Sequence, residues 1–306
     1  MPIFNIQQNK LTSIREKDIN LEKDIQKLTE ENLETVFSLQ FVSTEFSLQN
    51  FRIDTLAFDN EANAFVIIEY KRDRSFSIID QGYAYLALML NNKADFILEY
   101  NEKTKGNLKR ESIDWSQSRV LFLAQSFTTY QQNAINFRDL PIELWEVKKY
   151  DNSTILYNQL ISPEAMESIK MVTKSKTVES VTREVKVYTL EDHTEKLSEE
   201  IKEVFTLLRE KLLSLGSDVK EVPKKQYVAY KTTTNFADLV LYTRDIRIIL
   251  NLRSGKLNDP KGIVTDFTKP PKGHWGNGDY EVIVRKTDDI PYTMTLIEQS
   301  YKNLNV

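Results

Sequence analysis

Asp54, Glu69 and Lys71 are the side chains whose types and spacing could do chemistry. They lie in FRIDTLAFDNEANAFVIIEYK, where two Ile-, Leu-, Val- and Phe-rich runs, Arg52 to Phe58 and Phe65 to Lys71, flank the turn-prone cluster Asp59-Asn60-Glu61-Ala62-Asn63. That pattern predicts a β-hairpin. Side chains alternate across a strand, so Glu69 and Lys71 share a face, and in an antiparallel pair Asp54 can join them there. Burying such ions costs several kcal/mol each unless they are paired or bind a metal. Two carboxylates can hold Mg²⁺ or Mn²⁺ through oxygen and leave room for water and a phosphate oxygen. The ammonium can orient the attacking water or stabilise pentavalent phosphorus. The alternative is an Asp54 salt-bridged to Lys71 or Arg52 at the strand edge.

A larger pattern surrounds these residues. Asp54, fourteen intervening residues and Glu69-Tyr70-Lys71 resemble the signature of the PD-(D/E)XK nuclease superfamily, with Ile53 in place of the proline. Gln81 and Tyr85 in QGYAY are similar to the Q-x-x-x-Y element of RecB-like members. Upstream, LEKDIQKLTEENLE resembles the acidic helix of the archaeal mismatch-endonuclease type, with Glu22 at the matching position. Glu45 fits a further acidic position, and Glu31 and Glu34 lie in the same region. The resemblance covers roughly residues 15 to 150. It implies Asp54 and Glu69 as metal ligands, Glu22 as an outer ligand, and Lys71, Gln81 and Tyr85 as catalytic partners. Arg52, Arg72 and Arg74 beside the hairpin are the candidate substrate contacts.

Composition narrows the classes. A hydrophobic fraction of 41% and a charged fraction of 28% describe a globular chain. No apolar run reaches the roughly 18 residues of a membrane span, and the start MPIFNIQQNK lacks a signal-peptide core, so a cytoplasmic location is expected. With no cysteine and only His193 and His274, disulfides, thiol catalysis and Cys- or His-rich metal sites are excluded. The formal net charge of −4 argues against coating nucleic acid by bulk electrostatics. Lys220 to Lys272, with eleven basic and five acidic residues, is a candidate basic patch or a solvated lysine-rich surface.

The chain order predicts an α/β fold: a restriction-endonuclease-like mixed sheet flanked by helices, followed by a smaller α+β domain. The expected elements of the first domain, residues 1–161, begin with a polar arm to residue 18. A helix follows from Asn20 to about Phe37, broken near Thr29 as a second cap. Next come a strand Phe41 to Phe46, the hairpin, and a helix between Ser77 and Leu90. Strands Ala94 to Tyr100 and Arg119 to Ala124, a helix Thr129 to Phe137 and a strand Ile142 to Val147 complete it. The polar loop Asn101 to Asp114, with Lys103, Lys105, Lys109 and Arg110, is a candidate nucleic-acid flap.

Residues 162–193, rich in Ser, Thr, Lys and Glu, read as a linker. The second domain, 194–306, resembles a small α+β domain of unknown function found behind such nucleases, in an arrangement whose relatives include predicted transport proteins. Expected there are a helix His193 to Leu215 stopped by Gly216, strands at Gln226 to Lys231, Ala237 to Tyr242, Arg247 to Leu252 and Tyr280 to Val284, and a closing helix from near Asp289. Three glycines around Trp275 predict a tight loop.

The expected activity is Mg²⁺-dependent hydrolysis of DNA phosphodiesters. The alternative is a non-cleaving nucleic-acid- or protein-binding module on the same fold. Expected partners are DNA and a second copy of the chain as a homodimer, with no membrane.

Overall fold

A computed structural model describes residues 2–18, 22–71, 77–135, 137, 139–161, 168–169, 175–273 and 276–303. Asp54 and Glu69 owe their position to a meander of three long strands. These are β4 (Gln40–Leu48), β5 (Phe51–Asp59) and β6 (Ala64–Lys71), each antiparallel to the next. Strand β6 is apolar on both faces up to Glu69, the signature of a strand covered from both sides. It pairs in parallel with β7 (Arg119–Ala124), which pairs in parallel with β8 (Ile142–Tyr150). An antiparallel strand β9 (Ile155–Leu160) extends β8, and β3 (Glu16–Lys17) adds a two-residue pairing. The result is a seven-stranded mixed sheet. The polar arm is an exposed hairpin of β1 (Ile3–Gln7) and β2 (Lys10–Ile14).

Helices cover both faces of the mixed sheet. On one side α1 (Glu22–Glu30) and α2 (Leu33–Phe37) bury Ile25, Leu33 and Phe37 against Ala57, Val66, Ile68 and Tyr70. On the other, α3 (Ile78–Asn91) and α4 (Lys93–Thr104) pack Tyr83, Leu86, Met89 and Phe96 over Phe58, Phe65, Ile67 and Phe122. Ser77 caps α3 by accepting the Asp80 N–H. Gly82 lets α3 sit close to the sheet, because a Cβ there would come within 2.4 Å of the Ile142 side chain. Helix α5 (Thr129–Ala134) opens with a capping box of Thr128 and Gln131. At the sheet end away from Lys71, Arg119 joins three strands, bonding Asp59 at 2.9 Å and Glu143 at 3.0 Å.

Three expectations for this part change. The run Ala94 to Tyr100 is helical: Phe96 is buried and Tyr100 half-buried four residues on, both within the aromatic cluster of Phe46, Phe58 and Phe65, while Leu98 points outward. Aromatic content suggested a strand, and i, i+4 packing decides for a helix. Thr29 does not cap α2. Asn32 holds the N-cap position, and Thr29 is buried with its hydroxyl 3.0 Å from that of Tyr157. Within 162–193, expected as a linker, α6 (Lys176–Glu184) buries Val178 and Val181 against the core that α3 contributes to. The chain divides into compact units at residues 1–187 and 188–306.

The second unit is a six-stranded sheet in the order β10 (Lys220–Pro223), β11 (Val228–Lys231), β12 (Asn235–Tyr242), β13 (Asp245–Leu250), β15 (Tyr280–Val284) and β14 (Thr265–Asp266). Helix α8 (Glu199–Leu213) and the closing helix α9 (Ile290–Asn303) bury Val204, Leu208, Leu296 and Ile297 on it. The single helix expected from His193 is two. Helix α7 (Leu190–Thr194) ends before α8 begins with Ser198 accepting the Ile201 N–H. Helix α8 ends at Leu213 with Ser214 as its C-cap in right-handed geometry, so Gly216 is not a left-handed stop. Gly278, at φ +112°, passes under Leu250, where a Cβ would come within 1.9 Å of the carbonyl oxygen. Trp275 and His274 lie outside the described residues. Within the expected basic patch, Arg247 pairs with Asp245 and stacks over Tyr242, and Lys269 pairs with Asp266. Among the described residues no helix is long and apolar enough to cross a membrane.

The packing of α6 is testable. Val181→Ala removes two buried methyl groups and should cost the first unit about 2 kcal/mol in urea unfolding. An unchanged midpoint would return residues 176–184 to a solvated linker.

Candidate active site

The β5–β6 register, with Thr55 opposite Ile68, leaves Asp54 level with Glu69 one step beyond that pair. Asp54 Oδ2 accepts the Tyr70 N–H at 3.0 Å. Glu69 is almost completely buried. Its Oε1 accepts from Lys71 Nζ at 2.7 Å and from Gln81 Nε2 at 3.2 Å, and Gln81 Nε2 also reaches the Tyr85 hydroxyl at 3.2 Å. Glu69 Oε2 is buried with no hydrogen-bond partner among the described residues. Tyr85 donates to the Arg52 carbonyl at 3.4 Å, linking α3 to β5. Asp54, Glu69, Lys71, Gln81 and Tyr85 therefore gather at one sheet end.

Electrostatics follow from that burial. Both carboxyls sit above their ordinary values, burial being the largest cause in each. Asp54 further raises Glu69, while the Lys71 hydrogen bond and charge pull it down. For Asp54 the Tyr70 N–H, Lys71 and Arg52 oppose the shift, and Glu22 adds to it. Burial, then the Glu69 charge, hold the Tyr85 phenol well above its usual value.

Other expected residues stand apart. Glu22 acts on Asp54 through its charge from the exposed first turn of α1. Glu45 and Arg52 form a loose exposed pair at 4.0 Å, and Glu31 and Glu34 are exposed. Arg72 and Arg74 lie outside the described residues. Among the described residues no group of three or more His, Cys, Asp or Glu side chains has metal-binding geometry, so a cation here would rest on Asp54 and Glu69 with water and substrate oxygens.

Two groups were missed from sequence. Gln26, on α1, donates to the Asp54 carbonyl at 2.9 Å and to Glu30, and Glu30 accepts from Thr55 at 2.5 Å. These bonds fasten α1 to the site strand. The i, i+4 spacing of Ile25, Thr29 and Leu33 was the available signal for a helix face with polar members turned to the sheet.

Fold and site define the first unit as a mixed α/β sheet, flanked by helices, that carries two buried carboxyls and a lysine at one end. An uncharacterized protein of Haemophilus influenzae is 44% identical over 304 residues, spanning 99% of this chain and 100% of the relative. The chain belongs to the family of that protein. Residues 190–303 match the family model described as Domain of unknown function (DUF5655).

Partial likenesses exist among solved structures. A repair endonuclease from Pyrococcus abyssi is 16% identical over 39% of this chain and 44% of its own, with a TM-score of 0.22. The EndoMS–dsDNA2 complex is 16% identical over 48% and 64%, with a TM-score of 0.28. Pyrococcus furiosus SfsA in complex with Ca²⁺ is 12% identical over 45% and 62%, with a TM-score of 0.24. This chain spans less than two thirds of the length of each.

The raised carboxyls set a pH dependence. Asp54 and Glu69 hold protons to higher pH folded than unfolded, so their contribution to stability is fully present below about pH 4, the ordinary carboxylate range, and is lost as pH rises through the folded values. Asn stays neutral and can still accept the Tyr70 N–H. In metal-free buffer Asp54→Asn should therefore melt above wild type at pH 7, with the gap closing toward pH 4. Parallel melting curves across that range would show that burial of Asp54 carries no such cost.

Proposed function

We propose that the first unit is a metal-dependent nuclease hydrolysing DNA phosphodiester bonds. The observation that carries this reading is Glu69 Oε2, a buried carboxylate oxygen with no donor at bonding geometry among the described residues, beside a second half-buried carboxyl. A hydrogen-bonded structural ion pair leaves no such atom, as the Arg119 cluster illustrates with both Asp59 and Glu143 held at bonding distance. A divalent cation fits the unfilled oxygen and the Asp54 carboxyl: both are hard ligands, and their charge is costly where it stands. Mg²⁺ or Mn²⁺ would supply Lewis-acid polarisation of the phosphate and a more acidic water.

The chain's own residues divide the remaining work. Asp54 and Glu69 hold the cation, with Glu22 lending negative charge from α1. Lys71 stands where its ammonium can meet the attacking water or a phosphate oxygen as negative charge develops. Gln81, fixed by Glu69 and the Tyr85 hydroxyl, orients the same group, and Tyr85 ties α3 to β5. Arg52, Arg72 and Arg74 are the proposed backbone contacts to DNA.

A second reading has its own observation. Lys71 already contacts Glu69 at 2.7 Å, as a structural ion pair would, on a fold that binds nucleic acid or a protein without cutting. Lys71→Met separates the two. In the nuclease it should reduce the cleavage step about 100-fold, as for loss of one transition-state donor, with little change in melting temperature at millimolar Mg²⁺. In a structural pair the loss leaves a buried charge and should destabilise the fold by about 3 kcal/mol or more, with no cleavage in wild type or variant and binding per folded molecule unaltered.

The cation itself has a direct test. Millimolar Mg²⁺ or Mn²⁺ should raise the melting temperature of wild type, since a ligand of the folded state stabilises it by mass action. The shift should vanish in Asp54→Asn together with cleavage, while DNA binding is retained. Cleavage by Asp54→Asn at the wild-type rate would remove the nuclease reading.

A further inference from the structure

Sheet edges are normally defended, because their unpaired N–H and C=O groups template pairing with another chain. Most edges here show the defence. Strand β4 carries Glu45 in a left-handed conformation and a register shift between Phe41 and Ser43. Strand β3 is two residues long and charged, and β14 is two residues long. Strand β10 contains Lys220, Glu221 and Pro223.

Strand β9 differs. Leu144, Trp145 and Glu146 pair with β7 on one side and β9 on the other, so β9 is the outermost strand there. Among the described residues no strand pairs with its outer side. From Asn152 to Pro163 the sequence has no charged residue. Leu156 is 41% exposed, and Ile161 just past the strand is 66% exposed.

We infer that β9 is a self-association edge, pairing antiparallel with β9 of a second copy of this chain to join two seven-stranded sheets. The occupant follows from charge. In a two-fold interface a strand meets its own sequence reversed, so a charged residue near the axis faces its like, which is destabilising. An uncharged strand is free of that penalty. It also offers no charge by which a different partner would be chosen. Six ladder residues bury far less than the ~1,200 Å² of a stable interface, so the association is weak and reversible.

Sedimentation velocity of the full chain from about 5 µM to about 500 µM, a range that spans weak complexes, should show the mass rising toward a dimer. Over the same range amide exchange at 155–160 should slow as concentration rises. Asn158→Lys places a charge opposite Glu146 within the fold, and Leu156→Glu places one opposite Lys148. Each should keep its melting temperature and weaken association at least 10-fold by setting like charges across the new ladder. A wild type that stays monomeric throughout overturns the proposal and leaves a different chain as the occupant. A dimer that survives both variants, with exchange at 155–160 independent of concentration, overturns it as well. If either variant fails to fold, the exchange of the wild type decides.

Discussion

Burial of Glu69 is the constraint around which the first unit is built. Its neighbours on β6 are apolar side chains sealed between two helical layers, so the carboxylate enters an environment that favours hydrocarbon. Lys71 and Gln81 satisfy one oxygen and leave the other. Every element near the site bears on that carboxylate: β5 brings a second carboxyl, α3 brings the amide and the phenol, and α1 clamps the backbone of Asp54. The Arg119 cluster at the opposite sheet end shows what the same fold does with charges that only have to be stable.

Much of this was legible in the sequence because the hairpin is written twice, once in its two apolar runs and once in its turn. Two apolar runs, a turn cluster and intrusive charges put Asp54, Glu69 and Lys71 together, and the four-residue spacing of Gln81 and Tyr85 put both on one helix face. The illegible parts depended on partners distant in the chain. Phe96 and Tyr100 read as strand until the aromatic cluster that receives them is known. Thr29 read as a cap because its buried role needs Tyr157, 128 residues away. Residues 176–184 read as linker because a short amphipathic helix among Ser, Thr and Lys shows only two valines to its receiving surface.

The second unit shows the complementary case. Its strands are short apolar runs, and Tyr280 to Val284 appears within the bounds expected. The helix break at residues 195–198 escaped because Lys196 and Leu197 continue a helical pattern, and the cap at Ser198 is a single hydroxyl. The gathered carboxyls, lysine, amide and phenol are in the first unit, while the match to a domain of unknown function falls wholly in the second.

The close seat of Gly82 against Ile142 carries a consequence in time. The two carboxyls come from a local hairpin, whose strands need only a four-residue turn to meet. Gln81 and Tyr85 ride on a helix whose seat is made by β7 and β8, strands that reach the sheet by parallel crossovers and so close long stretches of chain. During synthesis the hairpin leaves the ribosome about 70 residues before Ile142, so the two acids are made before the part of the helix's seat that β8 supplies, while Phe58, Phe65 and Ile67 of the hairpin already offer the rest. Completing the close seat of Gly82 therefore waits on the last parallel strand, while the strands that carry the two carboxyls need only each other.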